Sequence, residues 1–398
     1  MSGTGAAPAR RPPLWLLALF TFSGTLAMHI FVPALTLAAA ELQTSPGTVQ
    51  MTVSLYILGL AFGQLIYGPA SDRFGRRPVL MVGLVLYAVC GLAAALAPNV
   101  QALIVARLFQ ALGGCAGLVL ARTIVRDTAG TQDAARRQAL MNLMVTLGPA
   151  VAPIVGATLA TTLGWRSIFY LLSAFGIANI VFTWRLLPET RPAGSGAGGG
   201  GAFLRHCIGL LRSRAFLGYA IGGGCATTAM YAFVASAPFI FVHQLDRPPQ
   251  EAGIYLAILV SGIWAGSAIA SRLISRVPLE TLLIRANLIS VIAACVFLAA
   301  TLAGHLSVAL TIGSMFIYSV GVGTAAPAAL TNAISVNQQV VGSASGLYGF
   351  TQMAVGALCT SAAGIGGNPA LAAAAILFTA GIIGQGCFWM VSRARKRG

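Results

Sequence analysis

Gly63-Gln-Leu-Ile-Tyr-Gly-Pro-Ala-Ser-Asp-Arg-Phe-Gly-Arg-Arg-Pro-Val-Leu80 is a polar island between two apolar runs. One run arrives from Thr48 and stops at Asp72; the next departs at Val79. Within the island the spacing is G-x-x-x-D-R-x-G-R-R, over Gly68, Asp72, Arg73, Gly75, Arg76 and Arg77. Gly68 removes a side chain where a neighbouring helix can approach. Asp72 places a carboxylate at a helix end, suited to capping another helix or pairing with arginine. Gly75 supplies the turn, and Arg76 and Arg77 anchor it at a membrane surface.

The rest of the composition agrees with a lipid environment. Of 398 residues, 57% are hydrophobic and only 8% charged, more apolar surface than a soluble fold of this length can bury. The net charge of +16 does not describe a nucleic-acid face, because the arginines fall in short loops between apolar runs. The seven cysteines are scattered, with no C-x-x-C pair and no His/Cys cluster of ligand spacing, so neither a disulfide framework nor a metal site is expected. No cofactor motif occurs. Arg10-Arg11 before an apolar stretch resembles a signal peptide, but the stretch runs on to about Ala40, so it is read as a first span.

Apolar runs occur at about Leu14–Leu37, Thr48–Ala70, Val79–Leu96, Val100–Ala121, Gln138–Leu163 and Ser167–Leu187. Six more lie at about Ala215–Val242, Gly253–Ala270, Thr281–Leu302, Leu306–Leu330, Gly342–Ile365 and Leu371–Val391. The expectation is an all-α membrane protein of twelve spans in two six-helix bundles, residues 1–190 and 215–398. A flexible Gly-rich linker over 191–214 joins them. With both termini cytoplasmic, 21 of the 24 basic residues fall on the cytoplasmic side. Only Arg166 and Arg247 fall opposite, and Arg107 lies inside span 4. Ser267-x-x-x-Ser271-Arg272-x-x-x-Arg276 after span 8 faintly echoes the island after span 2.

Three further stretches carry chemistry. Span 4 reads Arg107-Leu-Phe-Gln-Ala-Leu-Gly-Gly114, and an arginine in hydrocarbon should face the bundle interior or a wet cavity. Span 5 carries Gly148, Pro149, Pro153 and Gly156, giving a kinked helix with a smooth packing face. Trp165-Arg-Ser-Ile-Phe169 follows at its turn, and span 7 carries Ser236-Ala-Pro-Phe239. Together with Gly63–Leu80 and Ala121-Arg-Thr-Ile-Val-Arg-Asp127, these resemble the major facilitator superfamily. The branch most similar is the bicyclomycin and chloramphenicol resistance drug–proton antiporters. The resemblance implies a bacterial inner-membrane exporter, monomeric and not an enzyme, working by alternating access. It implies a gate at Gly68–Arg77, the antiporter motif G-P-x-x-x-P-x-x-G at Gly148–Gly156, and a substrate cavity including His29, Arg107, Tyr231 and Phe239.

Two departures from that branch bear on mechanism. Its span 1 usually carries Asp-Met-Tyr-Leu-Pro, tied to proton coupling; here the stretch is His29-Ile-Phe-Val-Pro33. Pro327-Ala328 stands where Pro-Asn is usual. All eight acidic residues lie in loops or at helix ends, so His29 is the deep proton-coupling candidate and Glu41 the second. At 1.5 Å per residue, His29 and Arg107 lie at the same height, about 5–6 Å from the midplane. This predicts that they share a positive cavity suited to neutral or anionic cargo. The missing carboxylate keeps a second reading open, a proton-uncoupled facilitator or metabolite exporter. An intramembrane enzyme is disfavoured, since no H-E-x-x-H, paired carboxylates or G-x-S-x-G appears.

Overall fold

In the computed structural model, residues 12–128, 131–190, 200–337 and 340–397 are described. Arg10, Arg11 and most of the glycine run, 194–199, lie outside them. The first half comprises α1 (Leu14–His29), α2 (Leu35–Glu41), α3 (Pro46–Phe74), α4 (Arg76–Ala95), α5 (Val100–Thr128), α6 (Thr131–Thr162) and α7 (Arg166–Leu186). After α8 (Gly200–Leu211) come α9 (Arg214–Thr227), α10 (Met230–Phe239), α11 (Pro249–Leu273), α12 (Leu279–Leu302), α13 (Val308–Ser335), α14 (Val341–Ala363) and α15 (Pro369–Arg397). Span 1 is α1 with α2, and span 7 is α9 with α10, so the described helices make twelve spans in two pseudo-symmetric six-helix bundles.

Local chemistry sets the helix ends. Ser45, Ser213 and Ser307 each accept a backbone N–H from three residues on, capping α3, α9 and α13. Gly75 turns α3 into α4 with φ +94°, a conformation a side chain rarely adopts. Among the described residues, ten spans are long and apolar enough to cross a membrane by length and composition. Two spans pack against the opposite half: α6 on α11 and α14 on α3. Small residues make both seams close. A Cβ on Gly47 would lie 2.2 Å from the Gly364 carbonyl, and one on Gly253 would lie 2.7 Å from that of Pro153.

Two features depart from the sequence expectation. Both span 1 and span 7 are broken. Span 1 interrupts after His29 with a turn and the 3-10 segment Val32–Ala34, and span 7 interrupts between Thr227 and Met230. Pro33 cannot donate a helical N–H, and the Gly222–Gly224 run lowers helix preference before Thr227 and Thr228. The segment read as a flexible linker also contains a helix, α8, because Phe203, Cys207 and Leu210 recur at helical spacing and pack against the second half.

Candidate functional site

A cavity of about 260 Å³ lies between the halves, where the two span breaks meet. His29 closes α1 on one side, with its ring 6.0 Å from that of Tyr231 at the start of α10. Pro149 and Pro153 of α6 line the wall, facing Leu256, Ile263 and Trp264 of α11. The polar groups converge at the span 7 break. The Gln352 amide donates to the Thr227 hydroxyl at 2.7 Å, and the Thr228 hydroxyl donates to the Gln352 carbonyl at 2.7 Å. Bonds from α14 thus hold the two threonine side chains at the break, whose hydroxyls also donate to the Gly223 and Gly224 carbonyls of α9. The remaining wall is apolar, and His29 is the one ionisable group other than Tyr231 among its described residues. No group of three His, Cys, Asp or Glu that could hold a metal occurs among the described residues.

Arg107 is not in this cavity. It is fully buried inside the first half, on the other side of α1. Its Nη1 donates to Gln110 Oε1 at 2.8 Å and its Nη2 to the Ala27 carbonyl at 2.9 Å, while its Cζ sits 4.0 Å from the centre of the Tyr56 ring. Because α1 stops at His29, the Ala27 carbonyl is among the last four of a helix, and a guanidinium is a fitting partner there. Tyr56 and Tyr87 donate to the neighbouring carbonyls of Gly24 and Ser23 at 3.0 and 3.1 Å. Arg107 therefore holds the broken end of α1, and the expected His29–Arg107 pair is replaced by this grip on the backbone. Equal height along two helices did not fix which way each side chain turns.

The other expected residues divide similarly. Tyr231 lines the cavity, whereas Phe239 is buried beside His243, ring centres 6.1 Å apart, outside the wall. Glu41 stands at the rim of the end opposite the arginine-rich loops. It accepts from Trp165 Nε1 at 2.6 Å and pairs with Arg166, tying span 1 to the start of α7. Gly148 and Gly156 let α6 lie against α1: a Cβ on either would fall 2.5 Å from Thr25 Oγ1 or 1.8 Å from the Ile30 carbonyl.

At the basic end the halves part around a cleft of about 380 Å³, lined by Gly68, Asp72, Arg122 and Arg126 on one side and Gly342 and Ser343 on the other. A Cβ on Gly68 would meet nothing within 4 Å, so here this glycine borders open space and is not a packing contact. Arg76 is 1% exposed, a buried strut and not a surface anchor. Its guanidinium reaches Asp72 Oδ1 at 2.8 Å, Asp127 Oδ2 at 2.9 Å and the Ser71 hydroxyl. Glu189, which carried no signal in the sequence beyond its charge, accepts the backbone N–H groups of Arg76 and Arg77, both at 3.0 Å. That carboxylate caps α4 where an N-terminal side-chain cap is otherwise missing. Arg77 Nη2 donates to the Trp184 carbonyl at 2.7 Å.

At the opposite end the halves are joined. Gln50 Nε2 donates to the Ala235 carbonyl at 3.3 Å, and Gly47 meets Gly364 backbone to backbone. The halves are thus joined at one end and part around a cleft at the other.

A family model for the Major Facilitator Superfamily matches residues 17–360. The uncharacterized MFS-type transporter YdgK of Bacillus subtilis is 30% identical over 96% of this chain and 95% of its own length. A bicyclomycin resistance protein homolog of Haemophilus influenzae is 26% identical over 84% of each chain. The solved nucleoside transporter NupG superposes with a TM-score of 0.75 over 96% of this chain and 98% of its own, at 14% identity. With that match spanning most of the sequence and the same helical frame, the chain belongs to the Major Facilitator Superfamily, a family of small-molecule transporters, and is not an enzyme.

Proposed function

We propose that the chain is a drug or small-metabolite exporter of the bacterial inner membrane, of the bicyclomycin and chloramphenicol resistance branch. Its arginine-rich end faces the cytoplasm, and proton entry through His29 drives it. The observation that carries this is the place of His29: 7% exposed, at the end of α1, on the wall of the central cavity. Its imidazole is a group that can gain and lose a proton where cargo would sit. With Arg107 turned away, the wall carries no permanent cation or carboxylate among the described residues, which suits neutral, amphipathic cargo ahead of anionic cargo. The relative named for bicyclomycin resistance supports the branch.

The lack of a carboxylate in that wall favours one other reading, a proton-uncoupled facilitator or metabolite exporter. Substrate flux in proteoliposomes, with and without an imposed pH gradient, separates the two. Wild type should respond to the gradient, His29→Ala should bind cargo but lose the response, and His29→Asp should admit cationic compounds. If wild type and His29→Ala respond alike, His29 does not couple transport to protons.

A further inference from the structure

The helix α8, between the two halves, has three distinct faces. At 100° per residue, Phe203, Cys207 and Leu210 form one stripe, which packs against the second half; Cys207 is 7% and Leu210 3% exposed. Leu204, Ile208 and Leu211 form the adjacent stripe and are 60%, 43% and 47% exposed. Arg205 and His206 occupy the remaining arc, with Arg212 just past the end of the helix, all three exposed. An apolar stripe of this kind is out of place in water. Its position supplies the partner, because Arg212 and Ser213 lead directly into α9, whose apolar run enters the membrane at Arg214. The stripe lies within about a turn of the lipid boundary, beside Arg212 and Arg214, both exposed, whose charge matches anionic headgroups.

The inner stripe ends in the cleft. Phe203 reaches the space between Pro69 and Val119 of the first half and Gly346 of α14, so one short helix touches both the bilayer side and the opening between the halves.

We propose that α8 is an interfacial helix seated on anionic lipid, and that this seating holds Phe203 as a wedge in the cleft at the basic end. Lifting α8 withdraws the wedge. The lipid surface thereby becomes a partner of the gate, independently of which cargo is carried and of proton coupling.

The chain supplies its own reporter. Cys207 is buried under α8, and burial pushes its thiol pKa up, so a seated helix protects it twice over. The other six cysteines all lie within spans. The full chain is placed in bilayer nanodiscs of phosphatidylcholine alone or with phosphatidylglycerol, and a charged maleimide is added. Alkylation of the Cys207 peptide is followed by mass spectrometry. Phosphatidylglycerol should slow it by at least about fivefold, the effect of one arginine at an anionic surface. Leu204→Ser with Ile208→Ser should remove the protection in both lipids. A thiol introduced by Ser345→Cys, on the cleft wall, should gain reactivity under the same conditions. Equal Cys207 rates in both lipids would overturn the lipid seat. A cleft thiol that does not follow Cys207 would overturn the wedge.

Discussion

Gln50 and Ala235 join the two halves by a hydrogen bond from a side-chain amide to a main-chain carbonyl, with both residues buried. Ala235 lies in α10, which runs past α3 at this end. Gln50→Leu should weaken the closed arrangement by about 1 kcal/mol, a several-fold change in a balanced equilibrium. Distances between spin labels on the α2–α3 and α14–α15 loops check this. They should lengthen in the variant, and an unchanged distribution would remove Gln50 from the closure.

Gly156 tests the packing of α6 on α1. With the Ile30 carbonyl where a Cβ would stand, Gly156→Ala must push the helices apart and should cost about 1–3 kcal/mol. Thermal unfolding in detergent should show a lower midpoint. Gly209→Ala, where a Cβ would meet no atom within 4 Å, serves as the control and should not lower it.

Asp72 and Arg76 should separate gating from stability. Asp72 is partly exposed at the cleft, so Asp72→Asn should lower transport with membrane abundance intact. Arg76→Ala should instead lower abundance, since it strips a buried cation from two carboxylates and a hydroxyl at a cost of about 3–5 kcal/mol. Immunoblots of membranes alongside flux measurements distinguish the two outcomes.

Arg107→Lys keeps a charge but loses the planar fork that reaches Gln110 and Ala27 together. Stability of the first half should fall by about 1–3 kcal/mol, with the ranking of neutral and anionic cargo unchanged. Altered cargo ranking at full stability would return Arg107 to the transport path.

The spans were legible in the sequence because lipid imposes long apolar runs, and the charges between them mark the loops. Side-chain direction was less so. Arg107 reaches the Ala27 carbonyl, two residues before His29, and the end of α1 at His29 decides that the arginine faces inward and the histidine faces the cavity. The break in span 7 is signalled only by a glycine run that also suits close packing, as Gly222 against Phe388 shows. In α8 only Gly200 and Gly201, the last two of the run that suggested a flexible linker, fall within the helix, ahead of the Phe203, Cys207 and Leu210 stripe that makes it one.

The cap that Glu189 places on α4 ties the finished gate to the order of synthesis. Arg77 and the carboxylate that receives its N–H are 112 residues apart in the chain. At roughly 5–20 residues per second, α4 waits on the order of 5–20 s after Arg77 is made before its N-terminus can be closed. Until then the turn at Gly75 is held through Arg76 by Ser71, Asp72 and, once α5 is made, Asp127. The first bundle is sealed by its own final residues, before any of the second half has emerged, so the two halves meet as a completed body and a nascent one.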